Sequence, residues 1–375
     1  MKKFITLLLV LSVSITTIFA QLNIPQNSTL VTYVESGGKG VKFGLLAYTD
    51  SKYRKFVVIE SRELNIGLSA EIQTTGNINP RDIQSAVSGI YDIYTQLLEK
   101  YRQYGLREEN VFFYTSSGLG VAKNILEYCE VLGKKVNHGV YVVKENEEAK
   151  YTIAGTIPYD AIDFAMTFDQ GGSNTKGGYV VKEGNMLTAV PVVFDLGSVR
   201  VAELVKSYMK SQPDDEVLFR EEFINATNKC FDSLKIVIRR VLENVEGAED
   251  RSHLYLSGGA AYVIATLLNP EYNPKEQIVP LDINQLRGFV NNIQDVNYYN
   301  SLKEKTFSSE TVTKDYKKAL KVYNHIQLIS ASKLLITYVN ALGGSNKKLY
   351  FNRYGLHAMP SMLIGRVLRN EIKRW

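Results

Sequence analysis

Residues 165–181 read Ala165-Met166-Thr167-Phe168-Asp169-Gln170-Gly171-Gly172-Ser173-Asn174-Thr175-Lys176-Gly177-Gly178-Tyr179-Val180-Val181, and the fold turns on this stretch. An apolar run of strand length meets an acid and a glycine turn, then resumes as a second apolar run. That order is a β-hairpin signal. Glycines let the backbone curl tightly and bring N–H groups against phosphate oxygens. The pattern has a precedent in the chain. Residues 30–34 lead into Glu35-Ser36-Gly37-Gly38-Lys39-Gly40, and an apolar run resumes over 41–48. One glycine hairpin is an ordinary turn. Two matched hairpins, each opened by an acid, indicate two structurally similar halves. Glu35 and Asp169 are then expected to face each other across a cleft and to hold Mg²⁺ on a bound phosphate.

The sequence around the hairpins alternates between strand and helix patterns. Residues 56–60 and 64–68 read as further strands of the first sheet. Asn79-Pro80-Arg81-Asp82 opens a helix with a cap, a proline at its first position and an acid at its positive end. Its apolar stripe is Ile83, Ala86, Val87, Ile90, Ile93, Leu97, Leu98 and Tyr101, spaced for one buried face. A strand over 111–114 feeds the turn Thr115-Ser116-Ser117-Gly118-Leu119-Gly120, and 122–132 is helical. Residues 139–143 form a strand leading into Asn146-Glu147-Glu148-Ala149. From residue 202 onward the chain is mostly helical, interrupted by Leu254-Tyr255-Leu256-Ser257-Gly258-Gly259, a strand entering a glycine turn. Residues 316–342 read as one or two helices and 361–375 as a basic terminal helix. This alternation predicts α/β layers.

Composition narrows the function classes. Met1-Lys2-Lys3 followed by a short apolar run and Ala20 is the pattern of an export leader over residues 1–20, so the protein is expected in the periplasm or outside the cell. No stretch reaches the length of a membrane span. The remainder is long enough for two domains, with expected limits 21–158 and 159–375. A formal net charge of +5 is too mild to imply a nucleic-acid partner. Cys129 and Cys230 are read as buried thiols, with a single bridge between them left open. The four histidines are scattered, and there is no Walker loop, nucleophile elbow or zinc motif. Covalent serine chemistry and zinc chemistry have nothing to stand on.

At this point the chain resembles the exopolyphosphatase/guanosine pentaphosphate phosphohydrolase family, relatives of the ecto-apyrases within the actin-like superfold. Five stretches carry the likeness, in order along the chain. Residues 35–42 sit where the family's first phosphate loop begins. Asn146-Glu147-Glu148-Ala149-Lys150 looks like the stretch holding the catalytic glutamate. Asp169-Gln170-Gly171-Gly172-Ser173-Asn174-Thr175 is similar to the second loop. Leu196-Gly197-Ser198-Val199-Arg200-Val201 resembles the strand and helix start that follow it. Asn352-Arg353-Tyr354-Gly355-Leu356 looks like the late R-x-G-L-R segment.

The resemblance implies two actin-like (ribonuclease H-like) domains flanking a cleft, the second extended by helices. It also implies Mg²⁺-dependent hydrolysis of phosphoanhydride bonds in polyphosphate or nucleoside polyphosphates. Glu148, or its neighbour Glu147, would handle the attacking water. Glu35 and Asp169 would hold the metal. Gly37, Gly38, Lys39 and Gly40, with Gly171, Gly172, Ser173, Asn174 and Thr175, would cradle phosphate. Ser257, Gly258 and Gly259 stand where the superfold contacts a nucleoside, and a homodimer is left open. The chain also departs from the family pattern. Glu35 stands for the usual Asp, and Lys42, Gly120 and His357 stand at arginine positions. Lys39, Lys123 and Lys176 are candidates for replacement charge. Two other readings follow: a catalytically silent phosphate- or nucleotide-binding or scaffold protein, and an actin-like ATPase or kinase.

Overall fold

Leu30 through Val34 are all buried, as expected of a strand covered on both faces. In the computed structural model β1 (Thr29–Gly37) is the central strand of a five-stranded sheet. The structure describes residues 24–375 apart from Lys39, Ser51, Ser173, 184–185 and 273–275. The leader assigned to 1–20 lies outside the described residues, as do the phosphate-site assignments of Lys39 and Ser173. The described chain divides into two units, 24–143 with 364–375, and 144–363. The stretch 144–158, read with the first half from sequence, groups with the second.

In the first unit β1 is followed by β2 (Gly40–Tyr48) and β3 (Phe56–Leu64), which pair antiparallel, then by β4 (Val111–Thr115) and β5 (Val140–Val142), which pair parallel. The order across the sheet is β3-β2-β1-β4-β5. Helices α1 (Pro80–Arg102) and α2 (Ile125–Val136) belong to this unit. The Asn79 side chain accepts from Arg81 N at 2.8 Å, which satisfies one of the donors a helix start leaves open. The expected stripe of α1 is buried except that Tyr94 replaces Ile93. Residues 64–68 do not form a strand. β3 stops at Leu64, and Leu68 N turns back to Ile66 O at 2.8 Å.

Glu60 on β3 ties the sheet to the end of α1. It accepts from Lys100 Nζ at 2.7 Å, Tyr101 Oη at 2.5 Å and Arg62 Nε at 2.6 Å. Burial alone would raise this carboxyl; the three donors outweigh it and bring the group from 4.5 down to about 2. A depressed carboxylate contributes stability above its ordinary pKa and loses it as pH falls through the folded value. The gap in urea midpoint between the wild type and Glu60→Gln is therefore expected in full at pH 6 and closes as pH falls toward 2.

The chain's last segment corrects another expectation. The helix read over 361–375 ends at Leu368, where Asn370 adopts a left-handed φ of 58°. The tail then runs to Trp375, whose Nε1 donates to Phe113 O at 2.8 Å and whose ring stacks on Tyr141. Both cysteines are free thiols. Among the described residues no helix is long and apolar enough to cross a membrane.

The second unit repeats the first on a larger scale. β6 (Ala165–Gln170), β7 (Thr175–Glu183) and β8 (Met186–Phe194) pair antiparallel in succession, and β9 (His253–Ser257) pairs parallel with β6. β11 (Lys348–Asn352) pairs parallel with β9, and β10 (Ile278–Leu281) closes the edge antiparallel. Read as β8-β7-β6-β9-β11-β10, the order is that of the first sheet plus one edge strand. Two such units are the actin-like (ribonuclease H-like) architecture expected from sequence. The helices here are α3 (Glu145–Thr156), α4 (Ser198–Ser207), α5 (Glu216–Glu243), α6 (Gly258–Leu268), α7 (Ile283–Asn292), α8 (Val296–Glu304), α9 (Glu310–Val322), α10 (His325–Ala341) and α11 (Ala358–Leu368), the last running on into 364–375. The core takes buried residues from α5, α6 and α10 against the sheet, among them Phe223, Ile264 and Leu335.

Candidate functional site

β6 and β7 stay paired out to Gln170 and Thr175, which leaves residues 171–174 to make the turn. Gly171 N donates across it to Asn174 O at 3.0 Å. The turn then docks on the start of α4. Ser198 N reaches Gly171 O at 2.9 Å, and Val199 N and Arg200 N reach Gly172 O at 2.9 and 3.1 Å. These are helix-start amides with no partner inside their own helix, so the loop carbonyls cap α4. Gly197 permits the approach, since a Cβ there would lie 2.4 Å from the Gly172 carbonyl.

This arrangement corrects part of the expected cradle. The Gly171 amide is spent on the turn. Thr175 is fully buried, and its hydroxyl donates to Leu196 O at 2.6 Å, so it does not face a ligand. Gly171, Gly172 and Asn174 are all half-buried.

Asp169 sits on β6 where the turn begins. Directly opposite on β9 is Ser257, whose Oγ donates to Asp169 Oδ2 at 2.9 Å. Ser257 is fully buried and committed to this bond, so the nucleoside contact expected of it is not made by its side chain. Gly258, also buried, turns the chain into α6 at φ +86°, and a Cβ there would lie 2.5 Å from Gln170 O and 2.9 Å from Asp169 Oδ1. Gly259 stands against the Tyr323 hydroxyl. Ser257 and Gly258 thus fix the place of Asp169.

Opposite Asp169 on β7 is Lys176. Its ammonium forms an ion pair with Glu148 in the first turn of α3, both side chains being 13% exposed. The neighbouring Glu147 instead accepts from Lys144 N at 3.4 Å and closes the start of the helix. The structure thus separates the two glutamates, one at the helix cap and one at Lys176. The far end of α3 is held by the late segment, where buried Asn352 donates from Nδ2 to Thr156 O at 2.7 Å. Arg353 pairs with Asp315 at 2.9 Å.

The first unit carries the same constellation in smaller form. Lys42 lies opposite Glu35 on β2, Tyr114 lies opposite it on β4, and Tyr114 Oη donates to Glu35 Oε2 at 3.0 Å. Lys42 Nζ is 3.9 Å from Glu35 Oε1. Lys42 follows Glu35, and Lys176 follows Asp169, by the same seven residues. The turns differ. β1 and β2 stay paired out to Gly37 and Gly40, so only two residues connect them, and Gly38 O is taken by Ser69 N at 3.0 Å. The first hairpin is therefore the glycine turn expected from sequence, with Gly37 and Gly40 as its last paired residues. Gly120 closes the short helical turn Ser117–Gly120 after β4.

No family model matches the sequence, and no curated protein matches it. Solved structures do. The Ppx/GppA family member of Aquifex aeolicus aligns with TM-score 0.62 and 18% identity over 92% of this chain and 100% of that one. The type II variant of the Aquifex aeolicus Ppx/GppA phosphatase gives 0.61 and 16% over 88% and 98%. An exopolyphosphatase from Cytophaga hutchinsonii gives 0.60 and 12% over 91% and 98%. The fold is that of the Ppx/GppA proteins. At these identities the likeness is one of architecture, and the chemistry is argued from this chain's own residues.

Magnesium, implied by the family resemblance, meets a test in that chemistry. The ion takes oxygen ligands in an octahedron, commonly one or two carboxylates with substrate phosphates and water. Glu35 already has Lys42 beside it, and Asp169 accepts from Ser257 with Lys176 as its cross-strand neighbour. Among the described residues no group of three or more Asp, Glu, His or Cys side chains is placed to hold a metal ion by itself. Each unit thus offers one carboxylate, Glu35 or Asp169, of the kind that would hold such an ion together with phosphate and water. Sequence reasoning had Lys176 only as spare charge; the shared spacing of Lys42 and Lys176 behind their acids was the signal that could have promoted it.

Proposed function

We propose that this chain binds phosphate chains at the second unit's loop and hydrolyses the phosphoanhydride bonds of polyphosphate or nucleoside polyphosphates. The observation that carries this reading is the Lys176–Glu148 ion pair. It links the glutamate of α3 to the cross-strand neighbour of Asp169, two stretches far apart in sequence. A half-buried carboxylate within reach of a water can take its proton, and a lysine beside a glycine turn offers charge to phosphate oxygens. In the reaction a water oxygen bonds to the terminal phosphorus as the bridging P–O bond breaks. Glu148 receives the water's proton, and the shortened chain leaves as an anion. Catalysis of this kind rests on positioning and charge rather than on a covalent intermediate. The sequence reading of residues 1–20 as a leader assigns this activity to an exported protein.

A second reading is favoured by the same ion pair, because a glutamate locked to lysine is a weaker base. In that case the protein binds phosphate chains without turnover. A phosphate-release panel on purified protein with polyphosphate and with nucleoside di- and triphosphates tests the proposal. Release that disappears in Glu148→Gln is the expected result. Retained binding with no release from any substrate assigns the chain to binding alone.

A further inference from the structure

We propose that the outer face of α5 is a self-association surface, on which a second copy of this chain lays the same helix antiparallel. α5 runs for 28 residues, the longest helix among the described residues, or about 42 Å at 1.5 Å per residue. Its buried residues, among them Phe223, Cys230, Leu234 and Ile238, fall on one side. Leu218 and Ile236 stand on the other, 54% and 61% exposed. They are eighteen residues apart, which is five full turns, so both lie on one line down the solvent face. Val217 and Val237 beside them are exposed as well. Single exposed apolar residues are ordinary; two matched pairs at the two ends of one helix are a pattern.

The charges say what covers it. Read inward from the start, the order is Asp214-Asp215-Glu216-Val217-Leu218; read inward from the end, it is Arg240-Arg239-Ile238-Val237-Ile236. About the level of Thr227 the two ends repeat their apolar positions and invert their charge. That is the self-complementarity of a two-fold interface, where residue i of one copy meets j of the other and j meets i. With two α5 helices antiparallel about that level, Leu218 of each copy comes opposite Ile236 of the other. The acids at 214–215 then come beside the arginines at 239–240. A parallel pairing would set acid against acid. In the middle turns Asp232 has Lys235 of its own helix at 2.8 Å, and Glu222 accepts from Lys210 N at 2.7 Å, which leaves exposed Asn225 and Lys229 facing the dyad. Acids at the start and bases at the end also suit the dipole of a lone helix, but the dipole asks for no exposed leucine and isoleucine between them. A strip one helix wide is a small interface, so the dimer is expected at micromolar protein rather than nanomolar.

Sedimentation velocity on the purified protein, from about 1 to 100 µM, tests this and should show monomer passing to dimer. Ile236→Glu should raise the dissociation constant by about tenfold or more, because a two-fold pair loses the apolar contact twice. The site is exposed, so its circular dichroism should match the wild type. Arg239→Glu should weaken the dimer by about threefold to tenfold, and adding Asp214→Lys should restore it. Orientation is read by oxidative cross-linking. A mixture of Leu218→Cys and Ile236→Cys proteins should give covalent dimer above the wild-type background of Cys129 and Cys230. Neither should do so alone, since the like positions of an antiparallel pair lie about 27 Å apart along the helix and a disulfide needs Cα atoms within about 7 Å. A protein that stays monomeric to about 100 µM, a dimer indifferent to Ile236→Glu, or a single-cysteine variant that cross-links to itself would overturn the proposal.

Discussion

Gly258→Ala is expected to lower the stability of the protein by roughly 4 kcal/mol, combining a left-handed backbone forced on a residue with a Cβ and an overpacked contact. The position has φ +86°, and the added carbon would sit 2.5 Å from Gln170 O on the neighbouring strand. Neither obstacle has an easy escape. The atom met is backbone in the centre of a six-stranded sheet, and moving it pulls on Asp169 and the 171–174 turn. Domains of this kind hold about 5–15 kcal/mol in total, so the variant should show a large fall in urea midpoint and reduced yield. Gly288→Ala provides the opposite sign. That glycine lies inside α7 with nothing within 4 Å of its added Cβ. Alanine there should stabilise by about 0.5–1 kcal/mol through helix propensity and a less free unfolded chain. A Gly258→Ala protein with an unchanged midpoint would show that β9 and β6 do not meet as closely as described.

The contrast between these glycines bears on what could be read beforehand. The hairpins were legible because strands buried on both faces are continuous apolar runs, and an acid followed by glycines marks where each run turns. The helix opened by Asn79-Pro80 was legible because cap, proline and stripe agree. Other elements gave no such agreement. α3 carries Glu145, Glu147, Glu148 and Lys150 with little amphipathic order, so it looked like a charge run. Its helical form depends on packing against β7 and β8. The tail beyond Leu368 is basic and reads as more helix, yet its conformation is decided by Trp375 reaching Phe113 and Tyr141, contacts no local pattern encodes.

The site shows the same division. Asp169 and the glycine turn could be picked out locally, since an acid beside small residues has few other uses at a strand end. What the turn does with its polar groups could not. Gly171, Gly172 and Thr175 look like donors to a ligand, but α4 and Leu196 take their carbonyls and hydroxyl, because a helix start and a strand end nearby have groups that must be satisfied. The choice between Glu147 and Glu148 likewise waited on Lys176, which is close in space and distant in sequence. Turn chemistry is local; the partners that consume it are tertiary.

Glu148→Gln is the second change with a large expected effect: turnover of polyphosphate should fall by about a thousandfold, within the range that loss of a general base produces. Glutamine keeps the volume and one oxygen able to accept from Lys176 but cannot take a proton from water. The fold should hold with a lower urea midpoint, because removing one partner of a largely buried ion pair leaves the Lys176 charge uncompensated. Binding should survive, so the loss appears in kcat and not in KM. Glu147→Gln is the internal control. Its side chain closes the start of α3, so the change should cost well under 1 kcal/mol of stability and leave turnover within about twofold. If the two variants lost activity equally, the ion pair with Lys176 would not be what singles out the base. The first turn of α3 would then act as a whole, through its placement beside β7, and Glu148 would have no role of its own.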